Sequence, residues 1–219
     1  MSESEKPEVF NPLDRNNLGL SVADALLLQD IQPLPPAKKF VGAGIYAIYY
    51  SGNFEPYKKI AGANSNGEYS LPIYVGKAVP PGARKGNEEQ GYNGPALYNR
   101  LCEHAESIKQ ASNLDIKDFT CRYLVVADIW IPLGESLLIN MLSPLWNKAV
   151  DGFGNHDPGS GRYNQKNSPW DILHPGRSWA AKLKGTSITK EDVLRAVKLY
   201  SSEVLPKIIG AKRKPLFRT

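Results

Sequence analysis

GIYAIYY, residues 44–50, places three tyrosines in seven residues dominated by aromatic and β-branched side chains. Such residues suit a pleated, half-buried surface, so the run is expected to be a strand. LPIYVGKA, residues 71–78, is expected to pair with it antiparallel after an inserted Gly/Ser/Asn-containing excursion, and DFTCRYLVVADIW, residues 118–130, supplies a third strand. Outward from this sheet, SVADALLLQDIQ (21–32) has helical spacing of Ala23, Leu26 and Leu27 before a Pro-rich stop. PALYNRLCEHAESIKQA (95–111) opens on Asn93-Gly94-Pro95, with proline early in the first turn. GESLLINML (134–142) is a second core helix, interrupted by Ser143-Pro144. TKEDVLRAVKLYSSEVLPKII (189–209) is a last amphipathic helix, and residues 151–177 are loop-rich. The expected class is α+β: a small antiparallel sheet flanked by helices, with an N-terminal arm over 1–36, a core over 37–180 and a C-terminal helix and tail over 181–219.

The chain has 219 residues, 42% of them hydrophobic, enough for a folded core in one or two domains. No apolar run approaches the roughly 18 residues of a membrane helix. The start, MSESEKPE, is acidic where a secretory leader is basic and then apolar. A cytoplasmic location is expected. Cys102 and Cys121 lack a CxxC partner, so they are expected to be buried free thiols rather than a disulfide framework or zinc site. Net charge is +5, unevenly spread: residues 1–36 hold six acids against Lys6 and Arg15, which leaves the rest of the chain at +9. A sequence pI near 9.1 and a basic tail (Lys207, Lys212, Arg213, Lys214, Arg218) fit a polyanion such as nucleic acid, but charge alone is weak evidence against an ordinary solvated surface.

Two helices carry polar residues that packing alone does not explain. Leu97, Leu101, Ala105 and Ile108 define the apolar face of the 95–111 helix, and Arg100 and His104, four apart, fall on its edge. A half-buried arginine and histidine need acceptors. Glu135 stands three, four and seven residues before Leu138, Ile139 and Leu142, on the face its helix buries. It is expected in the first turn, where the helix dipole favours an anion. A structural ion pair between Glu135 and Arg100 would account for both.

The joint pattern of Gly44-Ile45-Tyr46, Tyr74-Val75-Gly76, Arg100, Glu135 and Asn147, in that order, resembles the GIY-YIG nuclease superfamily, with valine for isoleucine in the second motif. His104, together with LPIYVGKAVP, SNLD, DFTCR and PLWNKAVDGFGNHDPG, is similar to its type II restriction endonuclease branch, in particular to enzymes cutting the palindrome CCGCGG. The resemblance spans roughly residues 35–180 and implies a GIY-YIG-type sheet and hydrolysis of phosphodiester bonds in double-stranded DNA.

It also implies roles. Phosphodiester hydrolysis needs an activated water and neutralisation of charge on the phosphoryl oxygens. Tyr46 would position or deprotonate the water; a free phenol, with a pKa of about 10, is ionised only about one part in a thousand at neutral pH. His104 could take its proton, and Arg100 and Lys77 could favour the phenolate; which of Tyr46 and His104 is the base stays open. Tyr74 would hold phosphate or water, and Arg100 would contact the phosphate. Glu135 would be the single protein ligand of Mg²⁺ (or Mn²⁺), and Asn147 would orient the tyrosine or the glutamate. Lys77 is a candidate for the scissile phosphate.

Tyr49 and Tyr50 are expected to be ordinary strand aromatics. His156 and His174, with Asn164 or Asn167, mimic a His-Asn-His metal nuclease motif, although the segment lacks strands and is rich in glycine and proline. Cutting both strands of a palindrome with one site per chain calls for a homodimer, with a tetramer also compatible. Arg84, Lys85, Arg162 and Arg177 are candidates to read guanine in the major groove. A partner DNA methyltransferase is expected in such a system. The alternatives are a repair or homing nuclease of the same superfamily, and a non-catalytic DNA-binding protein on the same scaffold.

Overall fold

A computed structural model describes residue 11 and residues 13–80, 94–185 and 188–210. Four strands form one sheet: β1 (Gln32–Pro33), β2 (Gly44–Tyr50), β3 (Pro72–Ala78) and β4 (Phe119–Val125), in the order β1-β4-β2-β3 with every neighbouring pair antiparallel. The register sets Tyr46 opposite Gly76 on one side and Tyr123 on the other. β2 is the second strand from the β3 edge and every one of its residues is buried, because both faces of the sheet are covered.

Alternation along β2 sorts its side chains between two cores. Tyr46, Ile48 and Tyr50 face a large layer built from Leu97, Leu101 and Ile108 of α3 (Ala96–Gln110), Trp146 of α5 (Leu145–Lys148) and Trp170 of α6 (Pro169–Leu173). Ile45, Ala47 and Tyr49 face a smaller layer against Ala23 and Leu26 of α1 (Arg15–Leu27) and Ile131 and Leu138 of α4 (Ile131–Leu142). The excursion between β2 and β3 carries the short helix α2 (Lys58–Ala63). The expected strand pair, the third strand and the α+β class are thus present. Val193, Val197, Tyr200 and Leu205, from α7 (Lys190–Leu199), a π-helical turn over Tyr200–Val204 and α8 (Leu205–Gly210), complete the larger core.

Three helix starts or ends differ from expectation. α1 begins at Arg15, where the Asp14 carboxylate caps Asn16 N at 2.8 Å, and ends at Leu27. Gln32 therefore leaves the expected helix and pairs with Cys121 as β1; Pro33 is tolerated there because the strand is at the edge. α4 begins three residues before GESLLINML, with Pro132 in its first turn, so Glu135 is the fifth helical residue. The dipole expectation for Glu135 is corrected accordingly, since that effect fades beyond the first turn. Ser143 closes α4 in the left-handed region at φ 39°, and Pro144 prevents continuation.

Tyr49 and Tyr50 are structural. The Tyr49 hydroxyl accepts from Arg122 at 2.9 Å, and that of Tyr50 accepts from the Phe54 amide at 2.7 Å. Both cysteines are free, but only Cys121 is buried as expected, and burial pushes its thiol up to about 12; Cys102 is partly exposed on α3. Among the described residues no helix is long and apolar enough to cross a membrane.

Candidate active site

Tyr46 lies at the middle of β2 with its ring turned toward α3, where its hydroxyl meets His104 Nε2 at 2.6 Å. Neither side chain reaches solvent. Burial, and then the neighbouring Tyr74, raise the Tyr46 phenol well above its ordinary value, while Arg100 acts in the opposite sense. Burial, reinforced by Arg100, His156 and Arg177, lowers His104 well below the ordinary histidine range. Both groups are therefore neutral at rest, and one donates to the other across this contact.

Two glycines make room for the phenols. A Cβ at Gly76 would lie 2.6 Å from Tyr46 Cζ and nearer still to its hydroxyl oxygen. The second glycine of the paired motif is thus a steric requirement of the first motif's tyrosine across the sheet. A Cβ at Gly154 would stand 2.7 Å from the Tyr74 hydroxyl. Tyr74, on β3, packs edge-on against the rings of His104 (5.2 Å) and Phe153 (5.0 Å), with the Tyr46 ring at 6.2 Å. Burial raises its phenol as well, with Arg100 opposing.

Arg100 sits one turn before His104 on α3, half-buried, and donates to Glu103 Oε2 at 2.8 Å and to the Gly154 carbonyl at 2.8 Å. A third contact runs from the same guanidinium to His156 Nε2. His156 must accept there, and burial together with Arg100 keeps its imidazole below the ordinary range. Glu135 pairs with Lys77 at 2.7 Å, not with Arg100. The ion-pair expectation is corrected in its partner: α4 presents Glu135 toward the end of β3, where the lysine following Gly76 projects.

Asn147 holds neither a tyrosine nor the glutamate. Its amide brackets the backbone of Val75, accepting from the N–H at 2.8 Å and donating to the C=O at 2.8 Å. β3 is an edge strand, so these two groups have no strand partner on that side. Asn147 supplies what a fifth strand would, between Tyr74 and Gly76.

The remaining candidates separate. Arg162 is exposed on a short 3₁₀ turn, lining a cleft of about 340 Å³ with His156, Lys166 and Trp179. Arg177 is 2% exposed and its guanidinium is bound inside the protein, so its expected role as a guanine reader is corrected: it has no path to a base edge. Arg84 and Lys85, and the tail cations Lys212, Arg213, Lys214 and Arg218, lie outside the described residues. His174 is in the core, accepting from the Tyr57 hydroxyl at 2.6 Å and donating to Asn113 at 2.9 Å, while His156 is at the surface beside Arg100. The two do not form one metal site. Among the described residues no group of three or more His, Cys, Asp or Glu side chains is placed to hold a metal.

The site thus brings Tyr46, Tyr74, Arg100 and His104 into direct proximity, with the Lys77–Glu135 pair farther along β3 and Asn147 behind that strand. The contributions of Phe153, Gly154 and His156 were not assigned from sequence to this cluster. Their signal was the run GFGNHD, in which Gly154 allows close approach to Tyr74 and Gly152 to Ser168.

A family model for the Eco29kI GIY-YIG domain matches residues 38–201, which is 164 of the 219 residues. The match runs past residue 180 through α7, consistent with the burial of Val193 and Val197 in the main core. Among curated proteins none matches the sequence.

Proposed function

Because the chain belongs to the Eco29kI GIY-YIG domain family, and so to the nucleases, we propose that it is a type II restriction endonuclease hydrolysing one phosphodiester in each strand of double-stranded DNA at the palindrome CCGCGG. The observation that carries the chemistry is the buried Tyr46–His104 hydrogen bond of 2.6 Å, with Arg100 and Tyr74 beside it.

In this reading His104 carries its proton on Nδ1, the Tyr46 hydroxyl donates to its Nε2, and the attacking water donates to the Tyr46 oxygen. As the water oxygen bonds to phosphorus, its proton passes to Tyr46 and the Tyr46 proton to His104. The P–O3′ bond breaks, the departing 3′ oxygen takes a proton from solvent, and a 5′-phosphate and a 3′-hydroxyl are left while the imidazolium returns its proton to solvent. The lowered pKa keeps His104 unprotonated throughout the neutral range while weakening it as a base, a loss that the negative charge of the bound phosphate offsets when the proton arrives. The relay avoids a free phenolate, which burial makes costly. Arg100, once turned from Glu103, offers a forked contact to the phosphate. Tyr74 holds the water or a phosphate oxygen.

Glu135 fits a hard divalent cation, Mg²⁺ or Mn²⁺. It is a single, partly exposed carboxylate already holding a cationic group, Lys77, at 2.7 Å, and such ions need few protein ligands when water and phosphate complete the shell. When bound, the ion supplies neutralisation of charge on the phosphate and the leaving oxygen. Lys77 then exchanges its partner from Glu135 to a phosphate oxygen. Arg162 contacts DNA from the adjacent loop. A homodimer supplies the second site, and a cytosine methyltransferase of the same specificity protects the host.

The test is incubation of wild type and Glu135→Gln with a sequenced plasmid containing CCGCGG, with Mg²⁺ or EDTA, and sequencing of every new end. Discrete Mg²⁺-dependent ends from the wild type alone support the reading and give the site. DNA binding without cleavage by the folded wild type favours a binding module, and scattered nicks a repair-type nuclease.

A further inference from the structure

Arg177 occupies a position no surface-reading arginine could. Its Nε donates to Asp171 Oδ1 at 2.7 Å, Nη1 to the carbonyls of Phe153 (3.1 Å) and Asn155 (3.2 Å), and Nη2 to the carbonyl of Gly152 (2.9 Å). The guanidinium is layered between the rings of Trp170 (4.5 Å) and Trp179 (4.6 Å). Asp171 is itself fixed, its second oxygen accepting from Ser168 at 2.7 Å. Three carbonyls within four residues point at one cation, a convergence that a segment without regular structure adopts only around a central donor.

The same segment faces the candidate active site on its other side. Phe153 stacks on the His104 imidazole at 4.4 Å and 19°, and the Gly154 carbonyl takes the 2.8 Å hydrogen bond from Arg100. The loop therefore has an inner surface held by Arg177 and an outer surface that sets His104 and Arg100. We propose that Arg177 is a positioning residue for phosphodiester cleavage, holding residues 152–155 in the shape that seats Phe153 on His104 and the Gly154 carbonyl on Arg100. This rests on the nuclease reading above for its consequence in rate, and on geometry alone for its consequence in structure.

Lysine cannot replace this arrangement. Its single ammonium lacks the planar fork that spans a carboxylate and three carbonyls, and it offers no flat face to two indoles. Arg177→Lys keeps the buried positive charge opposite Asp171 while releasing the loop. The experiment compares it with wild type in four measurements: thermal melting, DNA affinity in Ca²⁺, single-turnover cleavage of a CCGCGG duplex in Mg²⁺, and the imidazole NMR signals of the three histidines.

A folded variant is expected to bind DNA within about threefold of wild type and cleave at least about tenfold more slowly at saturating DNA, with the His104 signals moved. Cleavage within twofold of wild type overturns the proposal, as does a loss confined to DNA affinity or an unmoved His104 signal. If the wild type cleaves no DNA, the nuclease reading fails, and the His104 signal still decides whether Arg177 sets the loop. If Arg177→Lys does not fold, Phe153→Leu, which leaves the clasp and removes the ring from His104, is read in the same way: slow cleavage with retained affinity supports the proposal, and unchanged cleavage overturns it.

Discussion

Replacing Gly76 by alanine places a methyl group against the Tyr46 phenol, with Cζ at 2.6 Å and the hydroxyl oxygen nearer. To reach ordinary van der Waals contact the phenol must withdraw by about 1 Å, a displacement that in a positioned active site costs about 10²-fold in rate. The Tyr46–His104 hydrogen bond of 2.6 Å cannot survive that withdrawal unchanged, because His104 is fixed by α3 on one side and the Phe153 ring on the other. The strand itself tolerates alanine, so the penalty in stability is that of local overpacking, about 1–3 kcal/mol. For a domain of this size that is about 2–4 °C of melting temperature per kcal/mol. The assay is single-turnover cleavage with saturating enzyme, alongside thermal melting and DNA affinity in Ca²⁺. Expected are a folded protein, unchanged affinity and a rate about 100-fold lower. Adding Tyr46→Phe removes the nearest colliding atom, so the double variant should lose less stability than the two single variants together. Wild-type turnover in Gly76→Ala would refute the placement of Tyr46 at the chemistry.

Glu135→Gln is expected to abolish cleavage while DNA affinity holds, and to change stability by less than about 1 kcal/mol, since its partner Lys77 is 39% exposed; a variant that unfolds would assign the pair to structure instead. Tyr46→Phe should keep the fold and lose about 10²–10⁴-fold in rate, measured by the same single-turnover assay, and near-normal turnover would remove the proton relay. Asn147→Leu leaves the Val75 N–H and C=O unpaired at the sheet edge and should cost about 1–3 kcal/mol in urea unfolding; no loss would mean that water replaces the clamp without penalty. Acid should destabilise the protein through its buried histidines. His174 is lowered to about 3 by burial, then by Lys190 and Arg177. Below about 6.5 the unfolded chain takes up a proton that the folded chain refuses, so stability present above 6.5 falls as the pH drops, by about 2 kcal/mol between pH 6.5 and 5 for this residue. His104 acts in the same direction. Urea midpoints at pH 7.5 and 5 measure it, and His174→Gln should remove its share of the slope.

The elements legible in the chain were those set by short-range pattern. β2, β3 and β4 announce themselves by runs of β-branched and aromatic residues, and α3 by its 3.6-residue apolar repeat, because both periodicities are properties of a few adjacent residues. Helix ends were less legible: α4 starts at Ile131 and α1 at Arg15, each decided by capping and by what the preceding residues pack against. The motif residues Tyr46, Tyr74, Arg100 and His104 were legible as a set, and the structure brings them together. What each one touches was not.

Sequence by itself determined the kind of sheet, the α+β class and the residue types available for chemistry, because alternation and spacing constrain which side chains share a face. Tertiary structure alone decided the partners. Glu135 meets Lys77 across α4 and β3, Asn147 clasps the backbone of Val75 from 72 residues away, and Arg177 is drawn beneath the loop at 152–155. A charge or an amide carries no record in sequence of which distant carboxylate or carbonyl will satisfy it. That choice belongs to the packed chain, where burying a polar group unpaired costs too much and whichever partner the fold delivers becomes its role.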